Sequence, residues 1–445
     1  MAAARTHSMA RPAPKPGSAD PAAAGGALPR DDALRRELHD EIHARPAARI
    51  ALPARVRCVA VLNAGMSHAS EAHHVAQLPG AAAASLAQPY LELDLGGAAL
   101  RRERHSEFTR YTLVAPPGGT PALPPSWWAG IPGRLVAAIE LDLEPGDLAD
   151  ASAACAALRR RVGGDEVAAS LLGDGDALAA TDFRVQPDGW ERIAVRCAEG
   201  TSATRAGRIA QRLLELEIYR LMALRGLPAA KALAAMLAEA EAELAAITAQ
   251  TVDRHSADAD LLARLTALAA RTEQATAANG YRFSATAAYH AIVRQRIGEL
   301  RERALPGAQA LGVFMQRRLA PAMATVASTA ERLSALSQRI ERAGALLRTR
   351  VDIATEAQNQ QLLARLTRGQ QLQLRLQSTV EGLSIAAISY YVVSLVLYGA
   401  KAAKAAGLSI EPELAAGASI PLVLWGVWRT VRRIHARLHA GGKSP

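Results

Sequence analysis

Leu383 to Ala400 reads LSIAAISYYVVSLVLYGA, eighteen residues without a charge. A helix of that length, at 1.5 Å per residue, just reaches across a hydrocarbon core of ~30 Å. The linker KAAKAAGLSIEPE (401–413) follows, then a shorter apolar run, LAAGASIPLVLWGVW (414–428), containing Pro421. Trp425 and Trp428 stand where interfacial anchors belong, and Arg429, Arg432, Arg433 and Arg437 follow at once. Two apolar runs joined by a short loop predict a transmembrane hairpin over 383–431. The tail 432–445 is more basic than the loop, where Lys401 and Lys404 stand beside Glu411 and Glu413, so both ends are expected in the cytosol. A hairpin buried in a soluble core is the competing reading.

Upstream, between Ala322 and Ala400, only Gly344, Gly369, Gly382 and Gly399 interrupt a helical pattern. Val326, Leu333, Ile340 and Leu347 recur every seven residues, and Leu336 with Ala343 fill the other seam. The spacing predicts a coiled-coil-like stalk over 321–382, about 80 residues and ~120 Å long when continued into the apolar run. Such a helix packs on helices of its own chain or on copies of itself. After Leu347 the heptads fade and glutamines crowd toward the membrane. They line a wet channel if copies cluster, and otherwise form a polar juxtamembrane face.

The rest of the chain is rich in alanine and poor in aromatics, only 4%, which favours helices over an aromatic-packed β-protein. The net charge of +10 comes without a lysine run or a basic–aromatic stretch, so a lipid surface, not nucleic acid, is the expected partner. Cys58, Cys155 and Cys197 lie far apart and outside any CxxC spacing, as buried small hydrophobes of a reducing compartment do. Residues 1–29 are Ala, Pro, Gly and Ser without an apolar core, a disordered tail and not a signal peptide.

Residues 30–200 read as an α+β cytosolic domain with a mostly antiparallel sheet. A short helix over 34–42 stops at Pro46. Strands follow at 54–64, at YLELDL and ALRRERHSEFTRYTLVA around Gly96-Gly97, and at RLVAAIELDLE; a helix through AALRRRV comes next. FRVQPDGWERIAVRC carries Pro187-Asp188-Gly189 between two alternating runs, a second hairpin. A helical layer occupies 201–320, with segments near 206–227, 229–249, 261–278 and 289–303.

Candidate chemistry is sparse. If ERHSEF is a strand, Glu103, His105 and Glu107 share one face and offer two carboxylates and an imidazole to a divalent metal, unless nearby arginines claim the carboxylates. LHDEIHARP (38–46) resembles the HExxH string of zinc hydrolases but carries Asp40 after the first histidine and lacks a third ligand at a defined spacing. Glu215, Glu217, Arg212 and Arg220 read as a solvated or interdomain helix face. Phosphate-loop, dinucleotide and nucleophile-elbow strings are missing, and no cofactor is indicated. Along the first apolar run, Tyr390, Ser394 and Tyr398 fall on one stripe at i, i+4, i+8, with Gly399 and Lys401 at its end, as pore-lining or interhelical residues would.

LHDEIHARP, ERHSEF, TDFRVQPDGW, AGRIAQRLLELEIYRLMALRGLP and LLRTRVDIATEAQNQQLL, continuing through LQLRLQSTVEGLSIAAISYYVVSLVLYGAKA, together resemble a bacterial family of membrane-anchored proteins, domain of unknown function 3422. The resemblance spans nearly everything after the tail and implies an inner-membrane anchor but no activity. The order of domains is also similar to CorA-type magnesium channels. Those carry Tyr-Gly-Met-Asn after the first membrane helix; here Tyr398-Gly399 are followed by Ala400 and Lys401, and a lysine at that mouth repels a divalent cation. The expectation is a homo-oligomeric funnel in the inner membrane serving as scaffold or solute passage rather than in turnover. The alternatives are a membrane-tethered metal module or enzyme, and a tether for a cytosolic protein partner.

Overall fold

The computed structural model describes residues 32–36, 38–39, 49–81, 88–118, 123–164, 166–252, 258–407 and 411–440. The expected tail, Asp40, Glu41 and His43 of LHDEIHARP, and the side chain of Arg437 lie outside them. The chain divides into two compact units, Met1–Ser256 with Ala263–Gly344, and Ala257–Leu262 with Ala345–Pro445.

The first unit is built on one nine-stranded mixed sheet: β1 (Ala54–Leu62), β2 (Tyr90–Asp94), β3 (Ala99–Arg104), β4 (Phe108–Ala115), β5 (Arg134–Pro145), β6 (Ala168–Leu172), β7 (Ala177–Val185), β8 (Glu191–Cys197) and β9 (Arg303–Ala304), in spatial order β2-β3-β4-β1-β5-β8-β7-β6-β9. Each neighbouring pair is antiparallel except β5 and β8. The hairpins at Gly96-Gly97 and Pro187-Asp188-Gly189 form as expected, because glycines at φ +77°, +105° and +85° make the turns. ALRRERHSEFTRYTLVA is not one strand but two. β3 ends at Arg104 and β4 begins at Phe108, since Asn63 seizes the intervening turn: its Nδ2 donates to the His105 carbonyl at 2.7 Å and its backbone N–H to that of Glu107 at 2.9 Å.

Three helices cover one sheet face: α1 (His68–Val75), α2 (Pro125–Ala129) and α3 (Ala151–Val162). α1 and α2 close a core of Val59, Val61, Leu100, Tyr111 and Trp127, and α3 seats Cys155, Leu158 and Val162 on Leu178, Ala180 and Ala194. Asp150 caps α3, accepting from Ala153 N–H at 2.9 Å, and Gly163 ends it in the left-handed region. All three cysteines are buried and free.

The opposite face takes α4 (Ala203–Leu224), whose Ile209, Leu213, Leu216 and Ile218 are buried; α5 (Gly226–Val252) and α6 (Asp258–Leu300) follow. α6 is a single helix where the sequence suggests two, because glycine at 280 has only open space around it and is tolerated without a break. After α7 (Leu311–Arg318), α8 (Ala320–Ala405) runs unbroken through both units. Its heptad residues Val326, Leu333, Leu336 and Ile340 are buried within the first unit, where Arg332 pairs with Glu241 of α5 at 2.8 Å. The chain itself therefore covers this seam.

The second unit holds the rest of α8, the first turns of α6 and α9 (Pro412–Ala440). Among the described residues three helical stretches are long and apolar enough to cross a membrane by length and composition: Ala203–Thr251, Leu311–Ala405 and Pro412–Arg433. The first is one-third buried in its most apolar window, 33% against 6% for the other two.

Candidate functional site

Alternation along β3 sends successive charges to opposite sides of the sheet. Arg102 and Arg104 point to the α1 side and bind one carboxylate, Glu71, which is 1% exposed and also accepts from the Tyr111 hydroxyl at 3.4 Å. Glu103 points to the α4 side. Register places it opposite Arg110 on β4; Arg110 Nε donates to it at 2.5 Å, and Arg110 also lies 3.7 Å from Glu215 of α4, itself paired with Arg296 of α6. The Cys58 thiol is sealed beneath this chain of charges, and burial pushes it up to about 11, so it stays a neutral thiol.

The three residues singled out for metal do not come together as a ligand set. Glu103 belongs to Arg110, and Glu107 is taken by Arg282 of α6. His105 sits in the turn, not on the strand, with its ring stacked on Phe108 at 4.5 Å. Phe108 in turn meets Tyr219, which stacks on Tyr289 at 5.8 Å. Among the described residues no group of three or more His, Cys, Asp or Glu side chains is arranged to hold a metal ion.

A second buried cluster decides against the solvated alternative in the reading of α4 as a solvated or interdomain face. Glu215 and Glu217 are buried, and Glu217 shares Arg220 with Glu191 of β8, whose Oε2 lies 4.0 Å from the guanidinium. Burial, then the hydrogen bond with Glu217, pushes the Glu191 carboxyl up to about 10, so it stays protonated, while Arg220 and Glu191 hold Glu217 low and ionised. Arg220 also lies over the Phe183 ring, 5.5 Å from its centroid. Phe183 occupies φ +53° where β7 bulges between Thr181 and Val185, and stacks on Phe314 at 4.6 Å. Between α6 and the start of α8 lies a groove of about 600 Å³ floored by Phe283, Met323, Val326 and Leu333.

In the second unit, Ser389 is 5% exposed and Ala416 of α9 is 8% exposed, while Tyr390, Tyr398, Gly399 and Lys401 are open to the outside and Ser394 is half-buried. Lys404 pairs with Glu411 across the loop at 2.9 Å. Arg429 lies over the Trp425 ring and Arg432 over Trp428, each 5.0 Å from the centroid, and Arg433 is exposed beside them. Residues 30–438 match the sequence profile of a family described as "Protein of unknown function (DUF3422)". The chain belongs to the DUF3422 family. No curated protein and no solved structure matches it. Membership in DUF3422 thus brings no reaction with it, and the chemistry of this DUF3422 chain rests on its geometry.

That geometry is one of neutralised charge. Each buried carboxylate named above faces an arginine or shares a proton, an arrangement that fixes register and packing. Sequence reasoning missed the Glu191–Glu217–Arg220 group because its members come from a strand and a helix some 26 positions apart in the chain (217 minus 191). The signal available was TDFRVQPDGW itself, an alternating run that breaks its own pattern at Phe183.

Proposed function

We propose that this DUF3422 protein is a membrane-anchored scaffold. Residues 383–400 of α8 and 414–428 of α9 cross the bilayer as a hairpin, and the sheet-bearing unit is displayed in the cytosol for a protein partner. One observation carries this reading. The apolar stretches of α8 and α9 are each only 6% buried, against 33% for the apolar stretch within Ala203–Thr251, and apolar helices elsewhere pack on the sheet. Large apolar surfaces left uncovered in a folded chain need another apolar phase. The Arg429–Trp425 and Arg432–Trp428 stacks supply an aromatic–basic border of the kind found at a cytosolic membrane face. The Ala203–Thr251 stretch is left out of the membrane because α4 packs its apolar residues on the sheet and carries the paired Glu215 and Glu217, and α5 buries Leu233, Leu237, Ala240 and Leu244.

Solute passage is a second reading, favoured by the exposure of Tyr390 and Tyr398 on the first span. Lys401 next to that stripe argues for an anion or neutral solute over a divalent cation. Carbonate extraction of membranes carrying the full chain tests the anchor: retention in the pellet supports it, and release into the supernatant removes both readings. Flux into liposomes, compared between wild type and Tyr398→Phe, separates passage from scaffolding.

A further inference from the structure

The stretch of α8 after Leu347 carries a second apolar stripe, in a different register from the buried one. Leu366, Gln373, Val380 and Ala387 recur every seven residues; so do Leu362, Gly369, Leu376, Leu383 and Tyr390, offset by four. The first stripe, through Val326 and Ile340, predicts position 361 or 368 as its continuation and finds Gln361 and Arg368. The seam therefore changes register after Leu347. Here nothing among the described residues covers it: Leu362, Leu366, Leu376, Val380, Leu383 and Tyr390 are 56–73% exposed.

Three things on the helix decide what covers this face. Lipid tails do not reach its upper part, because the same turns bear Arg365, Arg368, Arg375 and seven glutamines from 358 to 377, of which Gln370, Gln371 and Gln373 are exposed. Nor does the helix lie flat on a membrane surface, since α8 continues without a break into the apolar run it feeds. The α9 helix of the same chain is on the other side. At 100° per residue, half-buried Ile385 and buried Ser389 fall about 150° or more from the centre of the stripe. The hairpin thus uses one face of α8 and leaves the opposite one open.

We propose that this face binds the same face of a second copy, forming a parallel, in-register seam from Leu362 down to Ser394. This rests on the membrane-anchor reading, which orients all copies alike and confines them to two dimensions, raising their effective concentration. The polar Gln373 in an otherwise apolar seam is satisfied when symmetry sets Gln373 against Gln373, which an unrelated apolar partner does not offer. Below it, Ala387 permits close approach and Ser394 offers an interhelical hydroxyl. The six exposed apolar side chains present on the order of 700 Å² per chain, near the ~800 Å² each partner contributes to a standard interface. Lys401, seven residues after Ser394, ends the seam by like-charge repulsion.

Disulfide scanning in native membranes tests this on the full chain. Cys58, Cys155 and Cys197 are buried, so an oxidant acts on the introduced thiol. Single substitutions Leu366→Cys, Leu376→Cys, Val380→Cys and Leu383→Cys on the seam are expected to give dimers of twice the chain mass. Leu374→Cys, Ser378→Cys and Gln371→Cys, off the seam, are expected to give about tenfold less. All seven positions are exposed in the single chain, so none threatens the fold. Adding Gln373→Glu to Leu366→Cys should lower its crosslinking about tenfold by placing like charges together, while Gln373→Asn should preserve it. Uniform or absent crosslinking in the membrane fraction overturns the seam, and so does an adduct whose mass matches another protein. Recovery of the chain in the soluble fraction instead overturns the anchor, whatever the crosslinks show.

Discussion

Glu191 and Glu217 converge on a single guanidinium, that of Arg220, beneath the sheet. One positive charge cannot neutralise two buried carboxylates, so one of them holds a proton. With Glu191 raised to about 10 in the folded chain and near 4.3 when unfolded, the native state binds the extra proton across that interval. The stabilisation from this group is complete below its unfolded value and declines as pH rises toward about 10. Melting of the detergent-solubilised protein from pH 6 to 9 should therefore show Tm falling with pH. Glu191→Gln, a permanent mimic of the protonated acid, should flatten that slope. A wild-type Tm that rises across this range would mean the proton is not there.

Arg220→Met removes the shared cation and leaves an ionised Glu217 buried. Breaking such a pair costs about 3–5 kcal/mol. Denaturant unfolding should show a loss of that size, relieved in part by the double variant with Glu217→Gln. Equal stability of the single variant and wild type would mean that water already reaches the cluster.

On the other sheet face, Glu71 collects Arg102, Arg104 and the Tyr111 hydroxyl. Glu71→Ala strands two guanidinium groups in the core that α1 closes, and about 3–5 kcal/mol should again be lost. Hydrogen exchange should localise the loosening to α1 and strands β2 to β4. A uniform change across the sheet would contradict the local account.

Gly133 enters β5 at φ +108°, and a Cβ there would lie 2.7 Å from the Leu62 carbonyl oxygen. Gly163 ends α3 at φ +83° with open space around it. Both resist L-residues, but only the first adds a backbone clash. Gly163→Ala should cost about 1 kcal/mol and Gly133→Ala clearly more, in the range of 1–3 kcal/mol, by urea denaturation.

Much of this architecture is legible in the sequence because its signals are local. Both hairpins follow from turn residues, and the long helix from the scarcity of breakers between Ala322 and Ala400. What escaped depends on partners distant in the chain. ERHSEF looks like continuous strand until Asn63, some forty residues earlier, pins the turn at His105. Glu215 and Glu217 look solvated until Arg110, Arg220 and Glu191 are placed around them. The heptads of Val326 to Leu347 left open whether a copy or the chain itself fills them, and α5 and α6 fill those in the first unit. The second seam was hidden because Gly369 and Gln373 fall in its middle, so the pattern reads as decay and not as a change of register.

The proposed hairpin crosses the membrane twice and keeps both ends in the cytosol. Membrane-impermeant maleimide applied to intact cells or right-side-out vesicles tests this with Lys404→Cys in the loop and Arg432→Cys after the second run. Exposed thiols react, and the three buried native cysteines do not compete. The expected result is labelling of Lys404→Cys from outside and of Arg432→Cys only after permeabilisation. Labelling of both positions only after permeabilisation, or of both from outside, would contradict the two-span hairpin.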